Sequence, residues 1–302
     1  MASTKEIKNR IKSVGDTQKI TNAMYLISST KMRKARRDAE RARPYYVLMR
    51  KEIRRMFAVG TDLKSRYYDA AVDEEQKGGR NAILVITADK GLAGIYNQSV
   101  IREALALIDR SDEHKLYIVG DYGWRFFRSH GSNIAMDFEH SMNAPTLAMA
   151  RDITEELLRD FDDRQFDRIY VCYTEFTGGM SAGNATYDRL IPFDRDDFVP
   201  EGGETDKDAS TVFEFEPDVK TVLERSIRSY LVGYIYSTLV NSYSSEQSAR
   251  MMAMDSANEN ASELLANLEL EYNHLRQNAI TQEITEISSG ARSLKRKKGK
   301  AR

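Results

Sequence analysis

Apolar side chains recur at alternating steps of four and three residues along the first part of the chain. The series runs from Ile7 to Met56, and Gln18, Thr21 and Ser28 are its polar exceptions. A seam of this period is typical of a left-handed coiled coil. Pro44 falls inside the series, and because the seam resumes in phase after it, we expect a bend but no end to the helix.

A second apolar stripe lies beside the first one in the same helix. It contains Ile20, Ala23, Met24 and Ile27. A helix with apolar residues on more than one face is normally surrounded by several elements. This stretch is therefore expected to contact more than one partner helix.

The middle of the chain changes to short apolar runs that are rich in β-branched residues and predict buried strands. These runs are 82–87, 115–120 and 168–176, and a further strand is expected within 183–193. Helical stretches separate them at 98–110, 122–129 and 145–162, the last beginning with a proline. The alternation predicts an α/β fold with a mostly parallel, Rossmann-like sheet.

The C-terminal part again carries an apolar stripe at steps of four and three. It runs from Ala261 to Ala279, moves by one residue to Ile280, and continues to Leu294. We expect one helix over 218–294 that forms an antiparallel coiled coil with the N-terminal helix. The stripe from Ile280 onward is expected to pack on the start of the chain. The predicted domains are an N-terminal coiled-coil helix, an α/β domain and a C-terminal coiled-coil helix with a basic tail, at 1–58, 76–215 and 217–302.

Composition excludes several classes of protein. The formal net charge of the 302 residues is -1, and no apolar run approaches the roughly 18 residues of a membrane span. The N-terminus lacks the apolar core of a signal peptide, and the single cysteine, Cys172, excludes an internal disulfide framework. No pair of histidines has metal-ligand spacing. These features predict a soluble intracellular chain without a metal site.

The segment TADKGLAGIYN, residues 87–97, follows a predicted strand and precedes a helix, as phosphate-binding loops do. It lacks both G-x-G-x-x-G and the P-loop lysine motif, and Asp89 places a negative charge where phosphate would lie. We interpret it as a tight turn and expect no bound cofactor. No arrangement of Ser, His, Asp or Cys suggests catalytic residues. A nucleotide-binding enzyme built on the α/β domain remains an alternative.

Residues 31–55 contain eleven Lys or Arg against three acidic residues. A solvated helix face is the simplest explanation, and a coiled-coil nucleic-acid binder is a second alternative. The basic residues surround the helix, however, and few aromatic residues accompany them. This arrangement favours an acidic protein that surrounds the helix.

Several ordered motifs together resemble one known family. They are IKNRIKSVGDTQKITNAM, STKMRKA, RPY, TADKGLAG, SEQSARMMAM and YNHLRQNAITQEITEISSGA. The chain resembles the gamma subunits of rotary ATP synthases over nearly its whole length. The resemblance implies a non-catalytic rotor shaft that transmits torque between a proton-driven membrane ring and catalytic sites on other chains.

The resemblance also implies partners and a location. The helix ends would stand inside a hexamer of alpha and beta subunits, while the α/β domain would contact the epsilon subunit and the ring of c subunits. One copy per complex is implied, peripheral to the cytoplasmic face of a bacterial plasma membrane. The implied subunit-interface residues are Met24, Lys31, Arg33, Arg250, Arg276, Gln277, Ile280, Glu283, Ile284 and Ile287.

Two features depart from the family pattern. LKRKKGKAR extends beyond the usual end of the family, so its basic residues would lie near or beyond the tip of the shaft. Tyr25 and Leu26 stand where smaller or charged residues are common.

Overall fold

The computed structural model describes residues 4–59, 65–68, 79–176, 183–193, 198 and 214–300. The elements in chain order are α1 Thr4–Val59, β1 Arg80–Ile86, α2 Tyr96–Ile108, β2 Glu113–Val119, α3 Asp121–Ser129, α4 Leu147–Asp162, β3 Arg168–Glu175, β4 Asn184–Ile191 and α5 Val219–Lys300. The helix α1 continues through Pro44, as the resumed seam predicts.

The four strands form one sheet in the order β2-β1-β3-β4. β1 pairs in parallel with both β2 and β3, whereas β4 is antiparallel to β3. The sheet is therefore mixed and mostly parallel, in agreement with the predicted fold class. Helix starts differ from their predictions by one or two residues. The helix α4 begins at Leu147 rather than at Pro145, and Thr146 is its N-cap, whose hydroxyl accepts a hydrogen bond from Met149 N at 3.2 Å.

The sheet separates two apolar layers because successive side chains of a strand point to opposite faces. Ala82, Leu84 and Ile86 of β1 belong to the layer that also contains buried residues of α4 and α5. Ile83 and Val85 belong to the layer formed with α2 and α3. A parallel central strand with both faces buried explains why β1 reads as a continuous apolar run.

The chain divides into two compact units, a larger one of residues 27–252 and a smaller one of residues 1–26 with 253–302. In the smaller unit, the amide of Gln18 donates to Ser262 Oγ at 2.8 Å, and the hydroxyl of Thr21 donates to Asn258 Oδ1. The order of these contacts shows that α1 and α5 run antiparallel there. Two of the polar exceptions in the seam thus pair across the helices, which fixes their register.

In the larger unit the two helices are also antiparallel. Tyr46 of α1 stacks on Tyr230 of α5. Further along, Asp38 of α1 is close enough to Tyr236 of α5 that its negative charge adds to burial in raising the pKa of that tyrosine. The predicted domain bounds at 1–58, 76–215 and 217–302 follow the ends of elements rather than these two units, and they remain a prediction.

The expected packing of the Ile280–Leu294 stripe on the start of the chain is wrong. Fourteen residues separate Gln18 from Thr4, where α1 begins, and the same step from Ser262 reaches Arg276. Within the described part of the chain, α1 therefore has no residue opposite Ile280 and beyond. Ile280, Ile284 and Ile287 are all exposed. The side chains of the basic tail, from residue 292 onward, lie outside the described residues.

Candidate functional site

The exposed end of α5 presents an apolar stripe among polar side chains. Ile280, Ile284 and Ile287 are 47%, 62% and 73% exposed. Arg276, Gln277 and Glu283, also expected at an interface, are exposed on the same segment. The structure thus places six of the predicted interface residues on one helix end.

The hydroxyl groups of this segment are hydrogen-bonded to the helix itself. Thr281, Thr285 and Ser289 each donate to the backbone oxygen four residues earlier, at 2.9, 2.8 and 2.7 Å. Their polar atoms therefore interact locally, while the isoleucines point outward without covering elements among the described residues. Exposed apolar surfaces are typical of contacts with other molecules, and an interface at these residues remains a prediction.

The smaller unit also exposes apolar residues on α1. Ile20 of the second apolar stripe is 62% exposed, Ala23 of the same stripe is exposed, and Met24 is partly buried. The second apolar stripe of α1 is thus left largely uncovered by the described residues of the chain itself. The expected partner contact of Met24 at this surface remains a prediction.

In the larger unit, α1 carries the basic segment 31–55. Arg36, Arg41 and Arg55 form ion pairs with Glu40, Asp38 and Glu52, at 3.4, 3.8 and 2.9 Å. The segment has eleven basic and three acidic residues, so its own net charge is positive even though all three acidic residues form these pairs. Lys31 and Arg33 are exposed on this helix. The surplus charge favours an acidic partner.

Arg250 lies within the fold of the larger unit. Its guanidinium pairs with Glu246 at 2.5 Å and donates to the backbone oxygens of Lys90 and Gly91 at 3.3 Å. Burial raises the pKa of Glu246, and the charge of Arg250 opposes that increase. Arg250 therefore fastens the 87–97 loop to α5, and its expected contact with a surrounding ring remains a prediction.

In the 87–97 loop, the carboxylate of Asp89 lies at the N-terminus of α3, where a bound anion would otherwise be stabilised. Asp89 accepts hydrogen bonds from Ser141 Oγ at 2.6 Å and from Met142 N at 2.9 Å. It also approaches the backbone N–H of Asp121, the first residue of α3, at 3.4 Å. A carboxylate at a helix N-terminus occupies the place where a bound phosphate would be stabilised. This geometry agrees with a tight turn.

Close packing explains a glycine beside this loop. Gly120 has φ 92, and a Cβ there would lie 2.2 Å from the backbone oxygen of Thr87. The hydroxyl of Thr87 in turn donates to Val119 O and accepts from Gly123 N, at 2.9 and 3.0 Å. The ends of β1 and β2 therefore approach closely because Gly120 has no side chain, and the hydroxyl of Thr87 connects them by hydrogen bonds.

Within the described residues, no group of three or more His, Cys, Asp or Glu is arranged to hold a metal ion. Over the same residues, no helix combines the length and apolar character that crossing a membrane requires. Cys172 is buried, and burial raises the pKa of its thiol. The thiol is thus protonated and inaccessible.

A family model described as ATP synthase matches residues 3–294. The ATP synthase gamma chain of Acetivibrio thermocellus is 35% identical over 298 residues, which cover 98% of this chain and 100% of that protein. The ATP synthase gamma chain of Caldanaerobacter subterraneus subsp. tengcongensis is 38% identical over 295 residues, with 95% and 98% covered.

Solved structures show the same fold. A central stalk and c-ring structure of the Tetrahymena thermophila mitochondrial ATP synthase aligns with a TM-score of 0.58 at 21% identity, covering 79% of this chain and 99% of that chain. A Euglena gracilis mitochondrial ATP synthase structure aligns with a TM-score of 0.53 at 15% identity, covering 90% and 95%. The fold defines a class in which long terminal helices carry an inserted α/β sheet. The chain belongs to the ATP synthase gamma-chain family.

Proposed function

We propose that this chain is the rotating central shaft of an ATP synthase. The observation that supports this most directly is the uncovered apolar stripe of Ile280, Ile284 and Ile287 on a helix end that extends past its intrachain partner. Such a surface fits a close apolar bearing formed by other chains. Because the sequence matches ATP synthase gamma chains over nearly its whole length, we infer that the chains forming this bearing are other subunits of an ATP synthase.

The proposed partners are the hexamer of alpha and beta subunits, the epsilon subunit and the c-ring. The smaller unit and the basic segment of α1 would face the hexamer, and the α/β sheet would face the c-ring and epsilon. The complex is membrane-bound. Within it, the chain is peripheral to the membrane and lies on the cytoplasmic face of a bacterial plasma membrane.

The shaft acts without catalytic residues of its own. A single chain has no threefold symmetry, so it presents a different surface to each of three beta subunits. Each beta subunit is thereby stabilised in a different state, because a contact shifts a conformational equilibrium only by its differential affinity for the states. Rotation moves each surface to the next beta subunit, which couples proton transport to ATP synthesis or hydrolysis.

Observation of rotation in the reconstituted complex tests this function. A cysteine introduced by Arg102→Cys, an exposed site on α2, would carry a bead, while buried Cys172 does not compete for the label. We expect the bead to turn in one direction during ATP hydrolysis by a complex whose hexamer is fixed to a surface. Hydrolysis at a normal rate with a stationary bead would contradict the proposal.

The matched control uses the same labelled chain with the hexamer fixed and ATP omitted. Here the bead should fluctuate about one angle without net turning. A bead that turned equally with and without ATP would show that the label, rather than the shaft, is moving.

A further inference from the structure

A cluster of tyrosines surrounds the carboxylate of Asp188, on the edge strand β4 of the larger unit. Tyr173 of the neighbouring strand β3 donates its hydroxyl to Asp188 Oδ2 at 2.8 Å. Tyr234 of α5 donates its hydroxyl to the same oxygen. One carboxylate oxygen is thus a shared acceptor that connects two strands of the sheet to the long helix.

Aromatic contacts extend this connection to α1. The rings of Tyr46 and Tyr230 are stacked with centroids 5.1 Å apart, and their hydroxyl oxygens are 2.9 Å apart. Both rings lie 6.2 Å from the ring of Tyr234. We call these five residues, Tyr46, Tyr173, Asp188, Tyr230 and Tyr234, the Asp188 cluster. It includes residues of β3, β4, α1 and α5.

The tyrosines that bind Asp188 remain hydrogen-bond donors at physiological pH. Burial raises the pKa of Tyr173 and of Tyr234, and the negative charge of Asp188 raises each of them further. Hydrogen bonds from a neutral hydroxyl to a carboxylate are roughly twice as strong as those between neutral groups. The cluster therefore combines strong bonds with a donor state that does not titrate near neutral pH.

Directional bonds provide something that apolar packing alone does not. The hydrophobic effect depends on buried area and is not directional, so it opposes separation more than it opposes sliding. A hydrogen bond weakens steeply when its angle or distance departs from the preferred geometry. Bonds from α5 and β3 to one oxygen consequently resist movement of the helix relative to the sheet.

We propose that the Asp188 cluster is the torsional joint through which the α/β sheet and the two long helices turn together, with Tyr234 as the positioning residue on α5. The inference rests on the proposed function, since a joint matters only in a chain that carries torque. Loss of one charge-assisted hydrogen bond favours a released state over a locked state by about tenfold. The released state would slip when the shaft works against a load.

The test compares conservative variants in complexes reconstituted into liposomes. Tyr234→Phe and Tyr173→Phe each remove one hydroxyl and retain the ring, and Asp188→Asn removes the shared charge. Tyr170→Phe is the matched control, because Tyr170 lies on the same strand as Tyr173 but packs in the layer on the other face of the sheet. Protons pumped per ATP hydrolysed are measured as an opposing proton gradient is increased.

The joint predicts an effect that depends on load. All complexes should hydrolyse ATP at similar rates without a gradient, while the three cluster variants should lose pumping per ATP as the gradient increases and Tyr170→Phe should not. Equal pumping in variants and control at every gradient would overturn the inference, as would a loss that is independent of the gradient. If none of the three variants assembles while the control does, the cluster is a folding element and the proposal fails.

The outcome is separable from that of the proposed function. A failed joint leaves the labelled wild-type complex rotating during hydrolysis, whereas a failed function leaves it stationary. The rotation measurement on the wild-type chain therefore decides the function before the variants are compared.

Discussion

Two stretches of α5 reverse the usual relation between polarity and burial. Residues 242–248, with the sequence SYSSEQS, are polar except for Tyr243, and all seven are buried. The stretch from Ile280 to Ile287 carries three isoleucines, and all of its residues are exposed. Both stretches are helical, so secondary structure does not account for the difference.

The buried stretch contacts its own chain through specific hydrogen bonds. Ser242 Oγ accepts from the backbone N–H of Thr174 on β3 at 3.1 Å, and Glu246 pairs with Arg250. Burying polar groups is tolerated when they are hydrogen-bonded, and it then fixes one arrangement of helix and sheet. Among the described residues, the side-chain hydrogen bonds of the exposed stretch stay within α5 and none reaches another element. Polar burial thus indicates a fixed internal contact, whereas the exposed apolar stretch is the one proposed to contact another chain.

Truncation should give the largest effect on this comparison. Removing everything after Asn273 deletes the exposed stripe, and we expect most ATP-driven proton pumping and much of complex assembly to be lost. Removing only Lys295 to Arg302 should leave ATP hydrolysis largely intact, because the family match ends at residue 294. The measurement is ATPase activity and proton pumping in reconstituted complex. Loss of turnover only in the shorter deletion would contradict an apolar bearing.

A single charge in the stripe should separate stability of the chain from function of the complex. Ile284 is exposed, so Ile284→Asp should change the free energy of unfolding of the isolated chain by no more than about 0.5 kcal/mol. In the complex the new carboxylate would be buried against apolar surface without a partner, and docking should weaken strongly. The matched control is Ile284→Leu, a volume-conserving change that should cost less than about 1.5 kcal/mol. Thermal unfolding and pumping measure the two properties, and equal pumping by both variants would argue against burial of this side chain.

In the buried polar stretch, replacing Ser242 and replacing Ser245 by alanine should have different effects on the stability of the chain. Ser242→Ala leaves the buried N–H of Thr174 without its acceptor, which should destabilise the chain by about 1–3 kcal/mol. Ser245→Ala removes a buried hydroxyl that has no hydrogen-bond partner among the residues that the structure describes, so it should be neutral or slightly stabilising. Chemical denaturation of both variants measures the difference. Equal destabilisation would show that the contact of Ser242 with β3 contributes nothing specific.

Much of the fold could be predicted from the sequence because its signals are local. The seam from Ile7 to Met56 predicts α1, which begins at Thr4 and ends at Val59. The β-branched runs predict the four strands within a few residues of their observed ends. Periodicity also identified Ile280, Ile284 and Ile287 as one face. It did not identify their environment, because an apolar seam on each helix does not determine the register of α1 against α5. At the observed register α1 begins opposite Arg276, and Ile280 lies beyond it.

The buried polar contacts could not be predicted from the sequence in the same way. Residues 242–248 have no apolar period, so nothing in the stretch indicates burial. The Asp188 cluster joins residues from four elements that are distant in sequence, and a lone Tyr or Asp has no spacing that reveals a shared hydrogen bond. Arg250 was expected at an external surface, and its contact with the backbone of the 87–97 loop depends on the tertiary fold. Contacts of this kind follow from topology rather than from local pattern.

Removing an exposed ion pair should have the smallest effect on stability and serves as the contrast to the buried polar stretch. Arg80 and Asp167 form a 2.9 Å ion pair with both side chains nearly half exposed, and the hydrogen bonds from Arg80 hold the pKa of Asp167 below its ordinary value. A lowered carboxyl pKa stabilises the folded chain above the pKa of the unfolded state, and this stabilisation disappears as the pH falls through the folded pKa. Asp167→Asn should therefore lower the thermal unfolding temperature slightly at pH 7, and the difference from wild type should begin to shrink at about pH 4 and disappear as the pH falls through the lower pKa of the folded chain. Arg80→Gln should reproduce the same small loss, and combining the two changes should add little because they remove one interaction. Thermal unfolding between pH 3 and pH 7 measures these differences. A decrease as large as that from Ser242→Ala would mean that polarity, rather than burial, determines how much such contacts contribute.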